Sequence, residues 1–110
     1  MMIPLSEALS MIQPHGSERS VKLFQHGTME LKMYAPRGTD PQRPHKKDEM
    51  YVIAQGIGEF VNEGQRHKIQ SGDFLFAPTG VPHRFENFSD DFYTWVMFYG
   101  PEGGELKKTK

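Results

Sequence analysis

Residues 72–87 read GDFLFAPTGVPHRFEN and carry the strongest structural signal in the chain. The apolar run at 74–76 follows a Gly-Asp turn and is typical of a short strand. The segment 78–82 holds two prolines and a glycine, and it predicts a fixed corner because proline lacks a backbone donor. His83 then opens a second strand. The stretch therefore predicts a strand, a corner and a strand.

The second strand of this stretch carries a histidine among aromatic residues. Because side chains alternate along a strand, His83, Phe85 and Asn87 are expected to share one face. A lone histidine in such a position is most often a packed side chain with one hydrogen bond. Its role depends on what the rest of the chain provides.

Length and composition indicate one domain made of short strands. The chain has 110 residues, which suffice for a single modest core. Eight Phe residues indicate a core of large rings, and eleven Gly with eight Pro indicate many turns. The formal net charge of -1 offers no extended field for phosphate backbones or anionic lipid, so neither nucleic acid nor a membrane is expected as a partner.

The absence of cysteine excludes disulfides, thiolate metal sites and a cysteine nucleophile. Any metal site must therefore use histidine and carboxylate ligands. The N-terminus has no basic segment followed by a long apolar stretch, and no apolar run approaches the length of a membrane span. A soluble cytoplasmic protein is expected.

Apart from one N-terminal segment, the chain shows strand signals separated by short turns. Residues 4–13 have apolar side chains at helical spacing, which predicts a short helix that packs on a sheet or contacts a second subunit. The longest irregular segment is 36–48. The predicted strands are Val21–Phe24, Met29–Tyr34, Met50–Ala54, Gly58–Val61, Gln65–Ile69, Phe74–Phe76, a strand from His83, and Phe92–Tyr99. An all-β barrel or sandwich follows.

Two motifs resemble those of the cupin superfamily. The opening stretch fits the second cupin motif, G-x5-P-x-G-x2-H-x3-N, at every fixed position, namely Gly72, Pro78, Gly80, His83 and Asn87. The first motif, G-x5-H-x-H-x3,4-E-x6-G, is similar to the segment 38–56. Arg43, His45, Glu49 and Gly56 keep the spacing of this motif, so Arg43 stands where the family has its first histidine, and Gly38 precedes Arg43 with four residues between them where the motif has five.

The resemblance implies a small cupin jelly-roll β-barrel with a short N-terminal helix. Its expected boundaries are an N-terminal helical or extended segment at 1–18, the barrel at 19–100 and a polar C-terminal tail at 101–110. A homodimer is expected, since small cupins often pair through their sheets.

By the same resemblance, His45, Glu49 and His83 are the expected ligands of a divalent metal ion, which could be Fe, Mn, Ni or Zn. Two imidazoles and one carboxylate suit first-row metals and leave coordination positions open. Arg43 either leaves a three-ligand site or offers a positive charge that binds a substrate carboxylate in bidentate fashion. Gln42 is an outside candidate for a replacement ligand.

The expected cavity lining consists of Arg43, Tyr51, Phe85 and Asn87, which are the predicted substrate-binding residues. Tyr51 should share the interior face with Glu49 and Ile53, and its hydroxyl is the one candidate for a catalytic proton donor. His67 is expected at the surface or on a rim.

Two functions remain open. The first is a metal-dependent enzyme acting on a small molecule, by dioxygenase- or isomerase-type chemistry or a related lyase reaction. The second is a non-enzymatic cupin that binds a sugar or small carboxylate and has a degenerate metal site, since a scaffold does not determine a function. A third and weaker option is a barrel that serves only as a dimer scaffold.

Overall fold

The fold is all-β with one short helix, as the sequence predicts. The computed structural model describes residues 1–12, 19–41 and 45–106. Within these ranges the elements are α1 (Leu5–Ser10), β1 (Ser20–His26), β2 (Met29–Tyr34), β3 (Asp48–Gln55), β4 (Ile57–Asn62), β5 (Gln65–Gln70), β6 (Phe74–Ala77), β7 (His83–Glu86) and β8 (Tyr93–Tyr99).

The strands form two antiparallel sheets that enclose a common apolar core. One sheet has the strand order β1-β2-β8-β3-β6 and the other the order β5-β4-β7. Strand β3 lies between β8 and β6, so its backbone is hydrogen-bonded on both sides. The two cupin motifs end up in different sheets, because β3 belongs to the larger sheet and β7 to the smaller one. Side chains from the two motifs can therefore meet in the interior.

The core between the sheets is built largely from aromatic rings, as the eight Phe residues suggest. The Phe85 ring centroid lies 5.0 Å from that of Tyr51, 5.2 Å from Phe60 and 5.1 Å from Phe92. All four side chains are at most 2% exposed. Burial of one such side chain is worth roughly 1.5–3 kcal/mol. The aliphatic members of the core are Ile53, Ile69, Ala77 and Val96.

Helix α1 packs on the outside of the larger sheet of its own chain. Its Ala8 forms a second apolar cluster with Met33 of β2, and Trp95 of β8 packs against that cluster. The prediction of a helix over 4–13 was too long. Met11 and Ile12 donate to the carbonyls three residues earlier, which closes the helix after Ser10, and Gln13 lies outside the described residues.

Strand β7 ends earlier than the alternation pattern suggested. Asn87 has a φ of 50°, so the extended backbone stops at Glu86. The Asn87 side chain is exposed, and its Nδ2 donates to Oε1 of Glu59 at 2.6 Å. The expected interior position of Asn87 was therefore wrong, whereas His83 and Phe85 are buried as expected.

The described part of the C-terminal segment packs back onto the loop before β3. The Gly103 amide donates to the carbonyl of Lys46 at 2.7 Å, and the Glu105 amide donates to Oδ2 of Asp48 at 2.9 Å. The three predicted segment boundaries stay predictions. Among the described helical residues, none forms a helix long and apolar enough to cross a membrane.

Candidate metal centre

Three side chains that the sequence singled out as ligands lie together in the interior. Glu49 is on β3, His83 is the first residue of β7, and His45 precedes β3 in the first-motif loop. Each offers one ligand atom, and these atoms all lie within 4.8 Å of one another. Glu49 is 1% exposed and His83 6%, whereas His45 is half-buried. The group therefore has a buried side and a more open side.

The His83 ring is fixed by hydrogen bonds at both nitrogens. Its Nδ1 lies 2.9 Å from the Val81 carbonyl, which can only accept, so Nδ1 carries a proton. Nε2 faces Oε1 of Glu49 at 2.8 Å and the Tyr51 hydroxyl at 3.0 Å. Burial works to lower the pKa of His83, but the hydrogen bonds to Glu49 and Val81 outweigh it, and the pKa is raised.

This arrangement fits a metal ion. With Nδ1 protonated, a neutral His83 directs its Nε2 lone pair at the Glu49 carboxylate, and two such acceptors can be close only when a proton or a cation lies between them. The other carboxylate oxygen of Glu49, Oε2, lies 3.7 Å from Nε2 of His45. Two imidazole nitrogens and a carboxylate oxygen form a donor set suited to first-row divalent metals. The carbonyl of Val81 would fix the ligating nitrogen, as partners of metal-bound histidines do.

His45 is held in place by the second motif. Its carbonyl accepts from the Thr79 hydroxyl at 2.7 Å and from the Gly80 amide at 3.2 Å. Its ring centroid lies 4.8 Å from that of Phe98 on β8, in an edge-on contact. Asp48 extends the network, because its Oδ1 accepts from the Thr79 amide at 3.0 Å. These contacts link the first-motif loop to the corner before β7.

Sequence reasoning missed the roles of Thr79 and Asp48. Both lie beside motif positions, since Thr79 precedes Gly80 and Asp48 precedes Glu49. That adjacency was the available signal, but the contact between residues 31 positions apart appears only in the fold.

Asp40 is a further residue that the sequence did not single out. Its Oδ2 accepts from the Phe85 amide at 2.7 Å, and its Oδ1 accepts from the Tyr34 hydroxyl. Asp40 thereby attaches the irregular segment before β3 to strand β7. A carboxylate in a turn-rich, charged segment was too weak a signal to predict this contact.

The remaining predicted site residues fall in three different places. Tyr51 is buried as expected, with its hydroxyl next to His83. Phe85 is 1% exposed and packs within the aromatic core. Asn87 faces away from the interior. Arg43 and Gln42 lie outside the described residues, so their proposed roles stay predictions.

The profile of the cupin domain matches residues 30–99, which is more than half of the chain. The chain belongs to the cupin family. The chain is similar to an uncharacterised protein of Streptomyces coelicolor. The two share 33% identity over 64 residues, which cover 58% of this chain and 61% of the relative.

This cupin is also similar to the dimethylsulfoniopropionate lyase of Ruegeria pomeroyi. The identity is 33% over 70 residues, covering 62% of this chain and 35% of the lyase. The crystal structure of that lyase matches with a TM-score of 0.64 and 27% identity, over 74% of this chain and 46% of that chain. The cupin therefore spans between about a third and three fifths of the length of these curated relatives.

The fold of this cupin also matches a solved structure of similar length. A cupin 2 conserved barrel domain protein of Salinispora arenicola has a TM-score of 0.68 and 20% identity, over 91% of this chain and 88% of that chain. At this identity the likeness supports the fold alone.

Proposed function

We propose that this cupin binds a divalent metal ion through His45, Glu49 and His83 and acts on a small molecule in the barrel cavity. The observation that carries the proposal is the convergence of three suitable ligand atoms within 4.8 Å in the interior. Two of the ligands come from different sheets, which hold side chains more rigidly than loops do. Three protein ligands would leave open coordination positions for a substrate.

Proton transfer is the chemistry that the surrounding residues support best. A bound ion would act as a Lewis acid that polarises a substrate oxygen. The Tyr51 hydroxyl lies 3.0 Å from Nε2 of His83, and Tyr51 is fully buried, so its hydroxyl can hold or release a proton where water is excluded. Among oxygenation, isomerisation and elimination, these features favour the last two. The similarity to a named lyase supports the same choice.

The competing function is a binding cupin without chemistry. A protonated His83 can donate from Nδ1 to the Val81 carbonyl and from Nε2 to Glu49, which satisfies the ring without an ion and is compatible with a degenerate site. Arg43 would then serve to bind a carboxylate. The two functions differ in whether a metal ion makes the protein consume its ligand.

The test is a turnover assay on protein reconstituted separately with Fe²⁺, Mn²⁺, Ni²⁺ and Zn²⁺. Each form is incubated in D2O with dimethylsulfoniopropionate and with a set of small 2-oxo and 2-hydroxy acids, and proton NMR follows product formation and deuterium incorporation. We expect metal-dependent turnover or exchange that His83→Ala abolishes. His26→Ala is the matched control because His26 is exposed on β1. If no metal form alters any compound, the enzymatic function is wrong.

A further inference from the structure

The described residues after β8 turn back onto the first-motif loop. The Gly103 amide donates to the carbonyl of Lys46 at 2.7 Å, and the Glu105 amide donates to Oδ2 of Asp48 at 2.9 Å. Lys46 and Asp48 lie in the short run between the two candidate ligands of that motif. The segment 100–106, which we call the C-terminal clamp, is therefore attached to the chain between two candidate metal ligands.

The Asp48 carboxylate joins the clamp to the second motif. Asp48 is buried, with 6% exposure. Its Oδ2 accepts from the Glu105 amide of the clamp, and its Oδ1 accepts from the Thr79 amide at 3.0 Å in the corner before β7. A buried carboxylate is stable only when donors satisfy its oxygens. Release of one of the two amides therefore disturbs the segment that holds the other.

Thr79 extends this connection to the backbone of His45. Its hydroxyl donates to the His45 carbonyl at 2.7 Å, and the Gly80 amide donates to the same carbonyl at 3.2 Å. The clamp also packs against Thr79, because a Cβ placed on Gly104 would lie 2.7 Å from Cγ2 of Thr79. The clamp, Asp48, Thr79 and His45 thus form one continuous series of contacts.

His45 depends on such contacts more than the other two candidate ligands do. Glu49 lies within β3 and His83 begins β7, whereas His45 lies outside the strands and is half-buried. Strands hold side chains more precisely than loops do. The geometry of the three-ligand group is therefore set largely by what holds the loop at His45.

We propose that the C-terminal clamp positions His45 for metal binding, with Asp48 and Thr79 as the positioning residues. The proposal rests on the proposed function for the presence of a metal ion, but the anchoring of the His45 backbone can be measured without one. Because coupling between two binding events is reciprocal, an ion bound at His45 also tightens the clamp by the same factor. The C-terminal segment thereby controls the affinity of the metal centre and responds to its occupancy.

Three substitutions in the full-length protein interrupt or keep the series of contacts. Asp48→Asn retains the size of the side chain, but its amide nitrogen cannot accept, so one of the two backbone amides loses its acceptor. Thr79→Val removes the hydroxyl that donates to His45, and Thr79→Ser keeps it. Asp73→Asn is the matched control, since Asp73 lies outside this series and accepts from a backbone amide at 2.8 Å in the turn before β6.

The first measurement is amide hydrogen exchange by NMR on chelator-treated protein. We expect the exchange rate of the Gly80 amide, which donates to the His45 carbonyl, to rise in Asp48→Asn and Thr79→Val about tenfold more than the rates in β8. Thr79→Ser and Asp73→Asn should show no such difference. An unchanged Gly80 rate in both variants would overturn the proposal. An equal rise at Gly80 and in β8 would also overturn it, because it would mean general destabilisation.

The second measurement is Zn²⁺ titration of the same proteins. We expect Asp48→Asn and Thr79→Val to bind the ion about tenfold more weakly, since residues that orient metal ligands contribute to affinity at this level. Thr79→Ser and Asp73→Asn should bind like the wild type, and Zn²⁺ should slow exchange at the Gly103 amide. Equal affinity in all variants would overturn the proposal. If the wild type binds no Zn²⁺, the proposed function fails, and the exchange rates alone decide whether the clamp positions His45.

Discussion

The Nε2 atom of His83 lies 2.8 Å from Oε1 of Glu49, although the two residues are 34 positions apart in the chain. Glu49 belongs to the larger sheet and His83 to the smaller one. Their contact therefore joins the two sheets across the interior, in a place where 1% and 6% exposure leave little water. A charged or polar pair so deeply buried needs its partners, which makes the pair sensitive to any change at either residue.

Tyr51→Phe should separate catalysis from structure. The ring packing against Phe60 and Phe85 is kept, and only the hydroxyl next to His83 is lost. We expect a stability change of about 1 kcal/mol, unchanged metal stoichiometry and a 10²- to 10⁴-fold loss of turnover. Urea unfolding, elemental analysis and the NMR turnover assay measure the three quantities. Full activity in the variant would rule out the proton-transfer role of Tyr51.

Gly104→Ala should weaken the hydrogen bonds that hold the His45 backbone in place. A Cβ at Gly104 would lie 2.7 Å from Cγ2 of Thr79 and 3.0 Å from Oδ1 of Asp48, and the φ of 87° adds strain. Displacing either residue weakens the network that holds the His45 carbonyl. We expect a loss of stability about 1–3 kcal/mol larger than that of Gly103→Ala, together with weaker Zn²⁺ binding.

Gly103→Ala is the matched control for this substitution. Gly103 has a similar φ of 90°, but no described atom lies within 4 Å of its added Cβ. Denaturant unfolding and Zn²⁺ titration of both variants provide the comparison. Equal losses in the two variants would show that backbone strain, and not the contact with Thr79 and Asp48, sets the cost.

The homodimer that the family resemblance implies has a suitable surface on the outside of β6. Phe74 is 60% exposed and Phe76 41%, and they pair across the sheet with Val52 and Met50. Such a continuous apolar surface favours association with a second copy. We expect sedimentation to show a dimer that Phe76→Lys dissociates. The same substitution at Leu106, which is 96% exposed, is the control and should leave the dimer intact. A monomer at micromolar concentration would contradict the expectation.

Two carboxyl groups on the outer face of the smaller sheet, those of Glu59 and Glu86, should contribute to the loss of protein stability at low pH. Hydrogen bonds from Asn87 and Arg66 lower the pKa of Glu59, and those from Arg84 and Arg66 lower the pKa of Glu86. A carboxyl whose pKa is lowered by folding stabilises the protein above its unfolded pKa, and this contribution is lost as the pH falls through the folded pKa.

Arg66→Met should therefore make unfolding less dependent on pH between about pH 5 and pH 3. Arg66 contacts both carboxylates, at 2.8 Å to Glu59 and 2.9 Å to Glu86, so its removal returns both pKa values toward normal. Urea unfolding at a series of pH values measures the slope. Lys22→Met, on the other sheet, is the control, and identical slopes in all three proteins would exclude this role for Arg66.

The local pattern predicted an all-β fold and the interior face of β3 and β7, because side-chain alternation holds wherever the backbone is extended, whereas the cupin barrel was implied by the two motifs. It placed Tyr51 with Glu49 and Phe85 with His83 correctly. It placed Asn87 wrongly, because the positive φ at that residue interrupts the alternation. The motif required an asparagine there, but the motif does not state which way its side chain points.

The hydrogen bonds that hold the candidate site in place could not be predicted from the sequence. Asp48 contacts residues 79 and 105, and Asp40 contacts residue 85, so each contact depends on how distant segments are folded together. The same applies to Asn62. Alternation puts it on the face of Phe60, but the lack of a donor to its Oδ1 among the described residues depends on how the interior is assembled.

Metal stoichiometry tests the central proposal most directly. Elemental analysis after reconstitution and gel filtration should find about one divalent ion per chain in the wild type. His83→Ala should lose it, because the substitution removes a buried ligand, and His26→Ala should keep it. The absence of stoichiometric metal after reconstitution with Fe²⁺, Mn²⁺, Ni²⁺ and Zn²⁺ in turn, or equal metal content in His83→Ala, would contradict the assignment of His45, Glu49 and His83 as a metal centre.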